Sequence, residues 1–281
     1  MPSRCLLAAL FIAACLSAMP SCAGAGPRLQ AKLDADYTAT LFGIPIGRIT
    51  WTVAVRDDRF SAAASGTTVG LLRVFANGRG IAKARGIVSA RRARASNFMV
   101  SFVSGHSSDA IRIVFTDDKA KEYLAHPPSP NPHLVPLTDA YRIGVVDPMT
   151  ALLIRVPGTG DTATPAACVR KIAVFDGHMR YDLHLAFKRM EEVRAEAGYR
   201  GPAVVCTVHF IPLAGYDPNR YGIRYMQAER DIEMWLVPLQ GTRLMVPFRV
   251  SVPTPIGLGV LQAEHFVWTP QKAHDAVAKA H

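Results

Sequence analysis

The chain has 281 residues, a formal net charge of +10, 49% hydrophobic side chains and 19% charged ones. That mix excludes a disordered polar chain and leaves enough apolar surface for a full core, as one large domain or two smaller ones. Its five cysteines and nine histidines form no Cys-x-x-Cys or His-Glu-x-x-His, and there is no Gly-x-Ser-x-Gly, so the zinc-enzyme and serine-hydrolase signatures are missing.

In chain order, the first feature is an export signal. Arg4 precedes an apolar run over residues 5–18, Met19-Pro20-Ser21 breaks it, and Ala23-Gly24-Ala25 supplies the small residues of a cleavage site. The run is too short to span a bilayer, and no later stretch is long and apolar enough to do so. Residues 1–25 are therefore read as a signal peptide removed after Ala25. The competing reading takes Ile12-Ala13-Ala14-Cys15 as a lipobox and makes Cys15 a lipid-anchored N-terminus. Under the first reading Cys5, Cys15 and Cys22 leave, and Cys168 and Cys206 remain as an even pair in an oxidising compartment. A structural disulfide is expected.

The mature chain then reads as a meander. Residues 35–42 form a strand, 43–47 turn it, and 48–56 resume with Ile49, Trp51, Val53 and Val55 on one face. Asp57-Asp58 turns into a strand carrying Phe60, Ala62 and Ala64. Residues 69–75 are apolar at mixed spacing, which fits a short helix or apolar loop that either caps the core or covers a ligand cavity. Residues 81–88, 98–103 and 110–115 supply further strands at the ten-residue spacing of a barrel, half-barrel or sandwich. Between Asp58 and Asp109 there is no acidic residue, while arginines and a lysine recur, Arg91, Arg92 and Arg94 among them. On an exported protein such a face would meet an anionic envelope component, a lipid headgroup or a lipopolysaccharide phosphate, rather than nucleic acid; equally it is the solvated outer face of alternating strands.

A proline-rich stretch over residues 126–133 either divides the chain into halves meeting at 126–146 or is a long surface loop. Asp147-Pro148 is a helix start, with an N-cap and a first-turn proline. The glycine-containing loop after it lacks the lysine and spacing of a phosphate-binding loop. Residues 169–175 and 180–188 flank Asp176-Gly177, a strong short-range hairpin signal. Residues 203–211, 232–239, 243–252 and 259–268 complete the strands, and 271–281 is a loose tail.

The stretch Asp147-Pro148-Met149-Thr150-Ala151-Leu152-Leu153 and the block Val174-Phe175-Asp176-Gly177-His178-Met179-Arg180-Tyr181-Asp182-Leu183 resemble a bacterial envelope family catalogued as domain of unknown function 3108. So do Leu41-Phe42-Gly43-Ile44-Pro45-Ile46-Gly47 and Tyr199-Arg200-Gly201-Pro202-Ala203-Val204-Val205-Cys206. The likeness runs from about Tyr37 to Trp268. It implies a periplasmic, mostly β protein, and no reaction, cofactor or ligand.

The densest polar cluster, Asp176, His178, Arg180, Tyr181 and Asp182, holds groups capable of acid–base work, but a tight turn and cross-strand pairing explain the same residues. Tyr221, Arg224, Tyr225 and Arg230 offer cation and aromatic contacts to a headgroup or glycan, or simply a polar surface. The sequence therefore predicts a mainly β domain over 26–270, an antiparallel meander curved into a half-barrel or open barrel, with one or two short helices. It is expected to be a periplasmic, non-enzymatic protein without metal or cofactor. A lipid or other apolar envelope ligand would sit in a groove lined by Trp51, Leu71, Leu72, Phe75, Phe98 and Phe102, with Arg91, Arg92 and Arg94 at its mouth. The alternative is a structural protein of envelope assembly that pairs its sheet edges with a protein partner.

Overall fold

A computed structural model describes residues 30–70, 78–105, 107–126 and 131–270. The first seven strands follow one another as an antiparallel meander: β1 (Gln30–Leu41), β2 (Ile44–Arg56), β3 (Arg59–Thr68), β4 (Gly78–Val88), β5 (Ala93–Ser104), β6 (Ser107–Thr116) and β7 (Lys119–His126). Tight turns set the register. Phe42 and Gly43 both have positive φ, at 53° and 76°, as do Asp117 and Asp118, at 51° and 58°. Paired left-handed residues are what a two-residue hairpin turn needs to match strand twist. Strand β7 follows Asp117-Asp118 where the sequence pattern shows no strand, because its side chains are largely exposed and do not alternate cleanly.

The second half adds the helical turn α1 (Pro148–Ala151), β8 (Ile154–Arg155), β9 (Arg170–Phe175), β10 (Arg180–Arg194), β11 (Ala197–Gly198), β12 (Arg200–Ala214), helix α2 (Tyr221–Ala228), β13 (Glu233–Leu239), β14 (Leu244–Thr254) and β15 (Gly257–Pro270). Strand β1 pairs with β15, so the strands on both sides of residues 126–146 belong to one sheet, ordered β7-β6-β5-β4-β3-β2-β1-β15-β14-β13-β12-β10-β9. Bulges at residues 36–37, 85–86, 114–115, 187–189 and 235–236 sharpen its twist.

The two outermost strands meet at a seam. The Gly144 amide donates to the Asp118 carbonyl at 2.7 Å beside β7, and Val146 exchanges 2.9 Å backbone hydrogen bonds with Ala173 and Phe175 of β9. Tyr123 meets Phe175 edge-on, ring centroids 5.2 Å apart. The sheet is thereby nearly closed into a barrel, which protects its edges.

Inward-facing residues alternate along each strand. Leu33, Val53, Val55, Ile113, Val205, Val237, Val246 and Phe266 all lie in one interior cluster and are fully buried. Where β14 and β15 splay apart, β8 pairs with β14 and β11 with β15. Tyr199, Phe248 and Phe266 are neighbours in the core, with ring centroids 5.6–6.1 Å apart.

A second cluster lies on the other face of β12–β14. Ile154, Val156, Ala167 and Cys168 pack on Val204, Cys206, Val208, Leu236 and Met245. Strand β12 is therefore buried on both faces, Ala203 and Val205 inside and Val204 and Cys206 outside. Cys168 and Cys206 are joined by a disulfide, Cα atoms 5.4 Å apart, which pins the covering segment to that strand. Cys168 stands just before β9, at the end of a short 3-10 turn, rather than in the strand.

Local signals in this half appear as the sequence indicates. Asp147 caps α1, its carboxylate accepting from the Met149 and Thr150 amides at 2.9 Å, although the helix is only one turn long. Asp176 closes the β9–β10 hairpin by accepting from the His178 and Met179 amides at 2.8 and 2.6 Å, with Gly177 at φ 100°.

Candidate functional site

Along β2 to β4 the inward-facing side chains shrink toward one end of the barrel. On β2 the series runs from Trp51 through Ile49 to Gly47; on β3 from Ala62 through Ala64 to Gly66; on β4 from Ala84 through Ala82 to Gly80 and Gly78. Where the side chains vanish, a cavity of about 300 Å³ opens. Gly47, Ile49, Ala64, Gly80, Val100 and Phe102 are among its lining residues, none of which is charged. Its size is at the lower end of ligand pockets, roughly 300–1,000 Å³.

Two glycines are there for steric reasons. A Cβ on Gly78 would stand 2.8 Å from the Phe102 ring, and one on Gly80 3.1 Å from it. Their absence lets that ring lie against β4, where it remains 43% exposed. The same end of the barrel carries the tips of the β1–β2 and β14–β15 hairpins. There Phe42, Ile44, Ile256 and Leu258 are exposed, and Phe42 donates its amide to the Leu258 carbonyl at 3.0 Å. Clustered apolar side chains in contact with solvent mark contact surfaces more often than chance exposure does.

The structure separates the residues that the sequence groups into one site. Phe102 lines the groove. Trp51 and Phe98 are buried in the middle of the barrel, Trp51 against Tyr37, and neither lines the groove. Leu71, Leu72 and Phe75 lie outside the described residues. Arg91, Arg92 and Arg94 are not at the groove's mouth. They sit at the β4–β5 turn, about eight residues along β4 from Gly80, which is roughly 26 Å at strand rise. Alternation places residues on a face but does not say which end of a barrel each strand presents. Arg92 and Arg94 are held by Asp118, at 3.0 and 2.7 Å. Burial opposes ionisation of the Asp118 carboxyl, yet the Arg94 hydrogen bond and the charges of both arginines hold it below its ordinary range.

The glycine and alanine series was visible in the sequence and could have marked the groove, had inward positions been compared across successive strands.

A second cavity of about 1,020 Å³ lies at the seam, lined by Tyr123, Leu137, Asp176, His178, Asp217 and Arg220 among others. Burial raises the Asp176 carboxyl above its ordinary range. One of its oxygens is engaged by the two turn amides, as a structural role requires. Asp182 of the same polar block is 2% exposed and ion-paired to Arg180 and Lys171, both at 2.7 Å. Among the described residues no group of three or more His, Cys, Asp or Glu is placed to hold a metal ion, and no helix is long and apolar enough to cross a membrane. Helix α2, which the sequence reading missed, carries Tyr221 and Tyr225 with ring centroids 6.3 Å apart.

A family model described as "Protein of unknown function (DUF3108)" matches residues 36–264. No curated protein matches the chain. Among solved structures, the β-barrel-like protein of domain of unknown function DUF1849 from Brucella abortus is similar at 9% identity, with a TM-score of 0.49, over 87% of this chain and 100% of that one.

Proposed function

The chain belongs to the DUF3108 family, whose function is unknown, and we propose that it is an exported, non-enzymatic binding protein of the cell envelope that holds an apolar chain, such as a lipid acyl tail, in the groove at the small-residue end of its barrel. The observation that carries this reading is the groove itself. It is uncharged, floored by glycine and alanine, lined by the exposed Phe102, and lies at the end of the barrel that carries the exposed Phe42 and Ile44. Inserting methylenes there removes apolar surface from water at both partners, about 0.8 kcal/mol for each CH₂ fully buried. The N-terminal signal pattern and the fully buried disulfide support an oxidising, extracytoplasmic compartment.

The alternative, an assembly protein that pairs through an open sheet edge, has less support. Both outermost strands, β7 and β9, are partly engaged by residues 143–146. The test is native mass spectrometry of protein purified from an envelope fraction, joined to displacement of a fluorescent fatty acid. A co-purifying lipid, and weaker probe binding by Ala82→Leu, are expected. Absence of bound lipid together with equal probe binding by wild type and Ala82→Leu would overturn the reading.

A further inference from the structure

We propose that the cavity between the β4–β5 turn, α1 and β9 binds a phosphoryl oxyanion, borne by a free phosphate compound or by a lipid headgroup, through Arg91, Arg155 and Arg170. It lies at the end of the barrel opposite the apolar groove, so it stands or falls independently of acyl-chain binding.

The cavity holds about 360 Å³, and its lining includes Arg91, Arg92, Arg155, Arg170 and Lys171 but no carboxylate. Two of these cations already have a carboxylate partner: Arg92 pairs with Asp118 at 3.0 Å, and Lys171 with Asp182 at 2.7 Å. Asp147, which caps α1, is fully buried and is engaged by the Met149 and Thr150 amides and the Thr150 hydroxyl. Arg91, Arg155 and Arg170 therefore face the cavity region with no carboxylate partner among the described residues.

Their hydrogen bonds go to carbonyls instead. Arg155 donates to the Val156 carbonyl at 2.8 Å, and Arg170 donates to the Arg155 and Ala166 carbonyls at 2.9 and 2.8 Å. Those bonds to backbone carbonyls hold the guanidinium groups in place, but they leave the charges uncompensated. The Nε atoms of both are shut off from solvent without a partner. Burial, and for Arg155 also the charge of Arg243, pushes both guanidinium groups below their ordinary values. Clustered cations with low-dielectric walls generate a positive potential that concentrates anions. Guanidinium groups suit a phosphoryl group better than lysines do, because their planar forks bind two oxygens at once.

The test is isothermal titration calorimetry of the intact protein at low ionic strength, in two arms. One uses inorganic phosphate and pyrophosphate; the other uses phosphatidylcholine vesicles with and without phosphatidic acid. Binding in either arm is expected, and the arm that responds identifies the source of the phosphoryl group. Arg155→Gln should weaken it about ten-fold, the loss of a charge-assisted hydrogen bond. Arg91→Gln, exposed on its turn, should weaken it with an unchanged melting temperature, and decides the matter alone if Arg155→Gln does not fold. Arg200→Gln, exposed at the start of β12, removes the same charge elsewhere and should leave binding intact. No binding in either arm, or an equal loss in Arg200→Gln, would overturn the proposal.

Discussion

Replacing both cysteines of the disulfide by alanine should lower stability more than any surface change. The crosslink joins Cys168 to Cys206 across 38 residues. In the chain-entropy description, closing a loop of that length removes about 13 cal/mol/K from the unfolded chain, or about 4 kcal/mol at 25 °C. For a domain of this size each kcal/mol moves the melting temperature by roughly 2–4 °C, so Cys168→Ala/Cys206→Ala should melt roughly 8–16 °C lower than wild type. The structure adds a local signature. The bond ties the covering segment to the outer face of β12, where Ile154 and Val156 are 3% and 1% exposed. Its loss should loosen that segment before the barrel. Thermal unfolding followed by circular dichroism, together with limited proteolysis across the loop at residues 157–164, measures both effects. A shift below about 2 °C, with intact protection of that loop, would refute the claim that the crosslink holds this layer in place.

Further predictions concern single side chains. Burial raises the Asp147 carboxyl to about 6, against the opposing pull of its hydrogen bonds to Thr150 and Met149. Between about pH 4 and 6 the folded protein therefore keeps a proton that the unfolded chain has released, and this group's contribution to stability falls as pH rises through that window, by on the order of 3 kcal/mol. Asp147→Asn keeps an acceptor for the cap and should flatten that slope, which denaturant titrations at pH 4.5 and 7 would detect. Asp182 behaves in the opposite sense. Burial opposes its ionisation, but the hydrogen bonds and charges of Lys171 and Arg180 outweigh it and hold the carboxyl below its usual range, so its contribution is lost as pH falls through the folded value. Asp182→Ala leaves Arg180, 9% exposed, unpaired and should cost about 3–5 kcal/mol in urea unfolding at pH 7. Finally, a Cβ at Gly86 would fall 2.0 Å from the Arg94 carbonyl oxygen and 2.6 Å from the Phe60 ring. Gly86→Ala should destabilise by about 1–3 kcal/mol, and an unchanged melting temperature would argue against that packing.

The candidate sites were less legible than the fold. In sequence Phe102, Trp51 and Phe98 read alike, as large apolar residues on strands. Phe102 lines the groove, whereas Trp51 and Phe98 fill the barrel's middle, because size and hydrophobicity do not distinguish packing from lining. The arginine cavity shows the limit more sharply. Arg155 and Arg170 lie 15 residues apart beyond the proline-rich stretch, and Arg91 more than 60 residues before them, so only the passage of residues 143–155 across the seam brings the three to one cavity.

By itself, the sequence determined what depends on neighbours along the chain. The period-two pattern of β2 and β3, the Asp176-Gly177 hairpin and the Asp147-Pro148 cap are local, because backbone geometry and side-chain hydrogen bonds act over a few residues. Tertiary structure alone decided the rest. The pairing of β1 with β15 joins residues more than 200 positions apart, and the seam at Val146 and the burial of β12 on both faces depend on where distant segments come to lie. Such contacts reward the chain only after a large closure entropy has been met, and no pattern within a single strand encodes which of several apolar edges will meet.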